Sequence, residues 1–241
     1  MNYCFLFYSR VTNNDNIETT INTLKKYSDA EIHVYSDTDE FEHSHKVADN
    51  RVIGRRATCK VECLLDFMGS LEEDDQILVA DVDLYFCGDP FTAFEQEFDL
   101  GVTIRKHRRP VNGGIFYLRN NEKTEKLIVE NICQAHHPTW LTYRKLKKDT
   151  YGLDWTVNQN FLNACWQDRK NLNLKIVDVG EQYNYCPESK KLMKEAYLEN
   201  KAITLHLKSR LKLCIYEGWL PDAVANHPTD IWNWQKACKK Q

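Results

Sequence analysis

The stretch Ile77-Leu78-Val79-Ala80-Asp81-Val82-Asp83 decides the fold, because a short apolar run is followed at once by two carboxylates. The run predicts a strand at 76 to 80 that is buried on both faces, as strands inside parallel sheets are. The carboxyl edge of a parallel sheet is where α/β folds bind ligands. Asp81 and Asp83 are therefore expected at a ligand-binding edge.

Two acids at the end of a buried strand repel each other unless a cation offsets their charge. They supply hard oxygen ligands for Mn²⁺ or Mg²⁺, and such a metal can neutralise a diphosphate and improve it as a leaving group. A pair of solvated turn carboxylates is the alternative. Asp37 and Asp39 repeat the pattern after another predicted strand, where one of them contacts a nucleoside or the pair forms a capped turn.

Strands and helices alternate around this segment, which predicts βαβ units and a largely parallel sheet. Asp89 and Pro90 are typical of the cap and first turn of a short helix. The other predicted strands lie at 2 to 8, 31 to 35, 99 to 104, 115 to 118, 175 to 179 and 203 to 207. The predicted helices lie at 17 to 27, 57 to 68, 122 to 135, 154 to 166 and after Pro187.

Bulk composition limits the classes of protein that fit. The 241 residues, 42% apolar, suit one domain, and a net charge of −3 gives no support to a nucleic-acid partner. Nine cysteines without a CxxC pair favour reduced thiols and a cytoplasmic location. The apolar opening reads as a strand rather than a signal peptide, and no stretch is long enough to span a bilayer.

Three further segments carry candidate site residues. Asn112-Gly113-Gly114 precedes a predicted strand, where glycine lets backbone approach a ligand and Asn offers a donor and an acceptor to sugar hydroxyls; a plain β-turn is the alternative. Asp154 is either a base for an acceptor hydroxyl or a helix cap. His206 ends an apolar run and precedes Lys212, so it can join the two acids on a metal while a lysine holds a diphosphate.

In this order the segments resemble the GT-A nucleotide-diphospho-sugar transferases, particularly the family of glycogenin and the bacterial lipopolysaccharide galactosyltransferases. The resemblance extends from the first strand to about Lys212. It implies an α/β, Rossmann-like, mostly parallel sheet flanked by helices, with a smaller acceptor-side subregion. One domain over 1–241 would then comprise a nucleotide-binding half, 1–110, and an acceptor-binding half with C-terminal helices, 111–241.

The resemblance also implies roles for particular residues. Asp81 and Asp83 would bind Mn²⁺ and the donor diphosphate, with His206 as a third metal ligand. The remaining donor contacts would come from Tyr8, Arg10, Lys60, Val82, Asn112, Gly113, Gly114 and Lys212. Tyr183-Asn184-Tyr185 resembles a Tyr-Asn pair that the family carries before the last part of the site.

Two departures from the family pattern affect the catalytic residues. Asn158 stands where the family has a carboxylate, so Asp154 becomes the candidate acid and Gln159 the candidate amide near the anomeric carbon. Ser209 replaces a glycine between His206 and Lys212, and Leu213-Cys214 replace Pro-Trp. The metal ligand and the phosphate contact therefore carry over more safely than the conformation of this loop.

The sequence thus predicts transfer of a hexose from a UDP-sugar to a hydroxyl of a glycan or glycoconjugate, with Mn²⁺ or Mg²⁺ as cofactor. The resemblance favours retention of anomeric configuration, by front-face departure or with the help of Gln159. One alternative is a haloacid-dehalogenase-like phosphatase, which Tyr85 disfavours because a small hydroxyl or β-branched residue is usual there. The other is an inactive sugar-nucleotide or glycan-binding module, which Asn158 keeps open.

Overall fold

The computed structural model describes residues 1–8, 17–37, 41, 44–47, 56–106, 110–136, 156–207 and 220, with backbone alone at 56–58, 134–136 and 156–158. The strands of this part are β1 (Asn2–Tyr8), β2 (Glu31–Ser36), β3 (Ser44–Lys46), β4 (Gln76–Ala80), β5 (Leu84–Phe86), β6 (Leu100–Ile104), β7 (Val111–Arg119), β8 (Ile176–Asp178) and β9 (Thr204–His206). The α-helices are α1 (Ile17–Tyr27), α2 (Arg56–Met68), α3 (Glu122–His136), α4 (Thr156–Asp168) and α5 (Lys190–Leu198). Two short 3₁₀ helices cover Pro90–Glu95 and Glu181–Asn184.

Seven of these strands form one mixed sheet in the order β3-β2-β1-β4-β7-β6-β8. Pairs β1–β2, β2–β3, β1–β4 and β6–β8 are parallel, whereas β7 runs antiparallel to both of its neighbours. Strands β5 and β9 form a separate antiparallel pair. The predicted α/β fold with a mostly parallel sheet is confirmed, and the reversal of β7 brings its amino end to the carboxyl edge of β4.

Strand β4 lies at the centre of the core, as its apolar run predicts. Ile77 and Val79 belong to the apolar cluster that includes Phe67 of α2, while Leu78 and Ala80 belong to the one that includes Leu24 of α1. This alternation is that of a strand covered on both faces, and all four side chains are 0% exposed. At the carboxyl end the chain has to leave a fully buried strand, which places Asp81 at the sheet edge.

Most predicted element positions match the structure within one or two residues. The Asp89 side chain accepts a hydrogen bond from the Phe91 N–H at the start of the first 3₁₀ helix, as predicted. The prediction was wrong at β7, which begins at Val111 rather than 115, so Asn112-Gly113-Gly114 lies within the strand. Glycine gives no strand signal of its own; here pairing with β6 holds it, with Ile104 opposite Val111. Strands β3 and β5, of three residues each, were not predicted.

No disulfide joins the cysteines of the described ranges. Cys4, Cys59, Cys63 and Cys165 are buried, and burial raises the pKa of the Cys165 thiol to about 12, so this thiol is neutral at physiological pH. Within the same ranges no helix is long and apolar enough to cross a membrane.

Candidate metal and donor site

The turn that follows β4 is held by three neighbouring elements. The Asp81 N–H donates to the Gly114 carbonyl of β7 at 2.8 Å, and the Leu207 N–H, just after β9, donates to the Asp83 carbonyl at 2.9 Å. From α1, the buried Thr20 hydroxyl donates to the Val82 carbonyl at 2.9 Å. The two acidic residues therefore have a backbone that is fixed on all sides before any ligand arrives.

His206 completes the acidic pair. It is the last residue of β9, lies opposite Leu84 of β5 and is 2% exposed. Its Nε2 is 3.2 Å from Asp83 Oδ1, and one ligand atom from each of Asp81, Asp83 and His206 lies within 4.8 Å of the others. Two carboxylates and an imidazole are a donor set that can hold a divalent cation, so the residues present suit a metal ion at this place.

Gly114 leaves the space that the His206 ring occupies. A Cβ at this position would lie 2.1 Å from His206 Cε1, 2.6 Å from His206 Nδ1 and 3.1 Å from Asp81 Oδ2. Real side chains do not approach that closely, so any larger residue would displace the ring or the strand. Gly114, which the sequence predicts as a donor contact, thus makes room for the side chains of His206 and Asp81.

Lys60 brings a cation to the same place. It lies on α2, its side chain is 12% exposed, and its Nζ donates to Asp81 Oδ1 at 2.8 Å. Asp81 is more open, with 43% of its side chain exposed. An ammonium beside the carboxylate reduces the negative charge of the site and can donate a hydrogen bond to an anionic oxygen of a ligand.

Asn112 and Gln159, two predicted site residues, are buried. Asn112 is 2% exposed; its Nδ2 donates to Cys186 Sγ at 2.8 Å, and its Oδ1 accepts from the Gly114 N–H at 3.3 Å. Gln159 is 8% exposed on α4, and a Cβ at Gly113 would lie 3.3 Å from its Cα. The structure thus places α4 directly against the glycine pair of β7.

The remaining predicted donor contacts lie at the same sheet edge or outside the described residues. Tyr8 ends β1 opposite Ser36 of β2, and Asp37 follows Ser36. The Tyr8 ring is edge-on to Phe41 with ring centroids 5.7 Å apart. The predicted residues that lie outside the described ranges are Arg10, Asp39, Asp154 and Lys212.

Sequence reasoning missed two residues that shape this site. Thr20 gave no signal, because a threonine on a helix face looks like many others. Asn184 was noted only for its family resemblance, whereas the structure places its Oδ1 3.0 Å from His206 Nδ1. Both act through backbone or ring atoms that are remote in sequence, so no local spacing could reveal them.

Solved glycosyltransferase structures share this fold at low sequence identity. GlyE of Streptococcus pneumoniae TIGR4 matches with a TM-score of 0.52 and 15% identity over 97% of this chain. This chain spans 60% of the length of GlyE. A glycosyltransferase involved in glycosylation of the major capsid of PBCV-1 matches with a TM-score of 0.53, 11% identity, and coverage of 90% of this chain and 98% of the other. Mouse xyloside xylosyltransferase 1 matches with a TM-score of 0.52, 12% identity, and coverage of 86% of this chain and 97% of the other.

A search of curated proteins finds no significant match to this chain. The sequence model of one family does match it, over residues 25–212, a range that contains Lys60, both acids after β4, the glycine pair and His206. Since that match covers well over half of the chain, this protein belongs to the nucleotide-diphospho-sugar transferase family and has its GT-A glycosyltransferase fold.

Proposed function

We propose that this chain transfers a hexose from a UDP-sugar to a hydroxyl of a glycan or glycoconjugate, using Mn²⁺ or Mg²⁺ held by Asp81, Asp83 and His206. The observation that carries the proposal is the convergence of these three ligand atoms within 4.8 Å at the carboxyl edge of the sheet. Oxygen and imidazole ligands at such an edge are the arrangement that a divalent cation and a diphosphate require.

The metal, when bound, would neutralise the diphosphate and improve it as a leaving group. The chain's own residues do the rest of the work at this edge. The Lys60 ammonium lies 2.8 Å from Asp81 Oδ1, where it can donate a hydrogen bond to a phosphate oxygen of the UDP-sugar. Gly114 leaves room for the His206 ring and Gly113 for Gln159 of α4, so the two glycines let these side chains approach the amino end of β7.

Retention of anomeric configuration is the stereochemical outcome that we propose. Gln159 packs its Cα and Cβ against Gly113, and we propose that its side-chain amide supports a front-face departure by hydrogen bonding near the anomeric carbon. Asp154 remains our candidate base for the acceptor hydroxyl. A reducing, cytoplasmic setting is part of the same proposal, supported by cysteines that form no disulfide within the described ranges.

A donor panel tests the proposal. The full chain is incubated with Mn²⁺ and each of UDP-glucose, UDP-galactose, UDP-xylose, UDP-N-acetylglucosamine and GDP-mannose, and release of the nucleoside diphosphate is measured. We expect release from one UDP-hexose, its loss on chelation, and a loss of about 100-fold or more in the Asp81→Asn/Asp83→Asn variant. UDP-xylose is included because one structural match is named a xylosyltransferase.

Other results would identify the competing functions. Metal-dependent release that persists in the double variant contradicts the assignment of the metal ligands. Release of inorganic phosphate from phosphomonoesters would support a phosphatase instead. A donor that raises the melting temperature but is never cleaved, with any acceptor, would indicate a binding module.

A further inference from the structure

We infer that Asn184 is a positioning residue that fixes the tautomer of His206, so that the Nε2 lone pair points into the space beside Asp83. The inference starts from the orientation of one amide. Asn184 Nδ2 lies 3.3 Å from the Asn112 carbonyl oxygen and 3.1 Å from Thr103 Oγ1. Because a backbone carbonyl oxygen only accepts hydrogen bonds, the NH₂ group of Asn184 has to face it.

The same orientation decides which ring nitrogen of His206 carries hydrogen. With its NH₂ group directed at Asn112, Asn184 presents Oδ1 to His206 Nδ1 at 3.0 Å. An amide oxygen cannot donate, so the hydrogen between them belongs to Nδ1. In the neutral ring this is the one N–H, so Nε2 is the nitrogen left to bind a metal.

That nitrogen faces a carboxylate. Nε2 lies 3.2 Å from Asp83 Oδ1, a separation at which the two lone pairs repel unless a metal ion or a proton on Nε2 lies between them. Metal-bound histidines commonly donate their other ring N–H to a fixed acceptor, which holds the ring and makes the free nitrogen a better ligand. Asn184 supplies that acceptor here.

Burial makes the arrangement rigid. Thr103, Asn112, Asn184 and His206 are each at most 3% exposed, so water cannot readily replace one of their hydrogen bonds. The two atoms that orient the Asn184 amide come from β6 and β7, and the histidine comes from β9. The network therefore fixes the His206 ring, which belongs to the smaller β5–β9 pair, relative to the main sheet.

Nitrogen NMR of the metal-free protein tests the tautomer directly. The full chain is labelled with ¹⁵N-histidine, and the His206 signals are assigned from their absence in His206→Gln. We expect the proton on Nδ1 in the unmodified protein and in Asn184→Asp, which keeps an acceptor at the same place. The absence of a proton from Nδ1 in the unmodified protein would overturn the inference, and this measurement requires no variant at position 184 to fold.

Metal affinity provides the second test, with Mn²⁺ binding followed by electron paramagnetic resonance. Removing an outer partner of a metal ligand typically weakens binding about 10- to 100-fold, which we expect for the near-isosteric Asn184→Leu. Asn184→Asp should remain within a few fold of the unmodified protein. Asn120→Ala is the control, since Asn120 donates to the Met68, Leu71 and Glu72 carbonyls beyond the opposite end of β4.

The outcomes separate this inference from the proposed function on which its metal arm rests. Unmodified affinity in Asn184→Leu, or an equal loss in Asn120→Ala, would overturn the positioning role. An Nδ1 proton in a chain that binds no Mn²⁺ would support the tautomer assignment while contradicting the proposed metal.

Discussion

Strand β4 has acidic residues just beyond both ends, and the two ends use them differently. Before the strand, Asp75 is 5% exposed, accepts the Glu72 N–H at 2.9 Å and pairs with the Met1 amine at 2.6 Å. After the strand, Asp81 and Asp83 direct oxygens toward His206 and remain partly exposed. The first acid is buried, pairs with a cation of its own chain and closes a turn. The second pair also has such a cation, Lys60 on Asp81, but it converges with His206 and stays open enough for a further cation to join it.

The largest effect should come from exchanging one acid at each end. Asp83→Asn replaces the proposed metal-binding carboxylate by a neutral amide, so we expect activity to fall about 100-fold, or about 2.7 kcal/mol in the barrier, with little change in melting temperature. Asp75→Asn weakens charged hydrogen bonds instead and should lower the free energy of unfolding by about 1 to 2 kcal/mol. Donor turnover and thermal unfolding are measured for both variants.

The comparison of the two ends would fail if these effects were reversed or equal. Asp75→Asn should retain the kcat of the folded unmodified protein, because that acid is at the far end of a strand from the site. A marked loss of kcat in Asp75→Asn, with its fold intact, would mean that the two ends are not independent.

Glycine positions sharpen the same contrast. Gly114→Ala would put a Cβ 2.1 Å from His206 Cε1, so the ring must move and Mn²⁺ affinity should fall about 10- to 100-fold. Gly88→Ala is the matched control, since the nearest atom to its Cβ would be Ile203 Cγ2 at 3.8 Å, an ordinary contact. Calorimetric titration with Mn²⁺ compares the two, and equal affinities would show that the ring does not require the space at Gly114.

How far the sequence predicts this site depends on the kind of strand involved. A strand buried on both faces gives an unbroken apolar run, so β4 and the acids after it could be located from sequence alone. The contact of His206 with Asp83 depends instead on β5 pairing with β9, two strands of three residues each. The apolar run before His206 predicted β9 and suggested this histidine as a metal ligand, but β5 was not predicted, so the pairing that brings His206 to Asp83 could not be.

Antiparallel pairing accounts for the other difference. Alternating strands and helices predicted parallel neighbours, but β7 returns beside β4 in the opposite direction, with Ile115 opposite Ala80. That reversal is what brings Gly114 to Asp81, through the Asp81 N–H and the Gly114 carbonyl. Its direction depends on contacts across the sheet rather than on residues nearby in sequence, so the glycines read as a loop.

The smallest effect on metal binding should come from Lys60, the cation that pairs with Asp81. Lys60→Met removes the ammonium 2.8 Å from Asp81 Oδ1, which competes with a metal for that oxygen but assists a diphosphate. We expect Mn²⁺ affinity without donor to rise about threefold to fivefold, which is about 1 kcal/mol for a partly exposed ion pair. The KM for the donor should rise as well.

Lys126→Met, which breaks the exposed pair with Glu122 on α3, is the control and should change neither quantity. Weaker Mn²⁺ binding in Lys60→Met would contradict the idea that this end of β4 is kept ready for an external cation, since the lysine would then support the metal rather than compete with it.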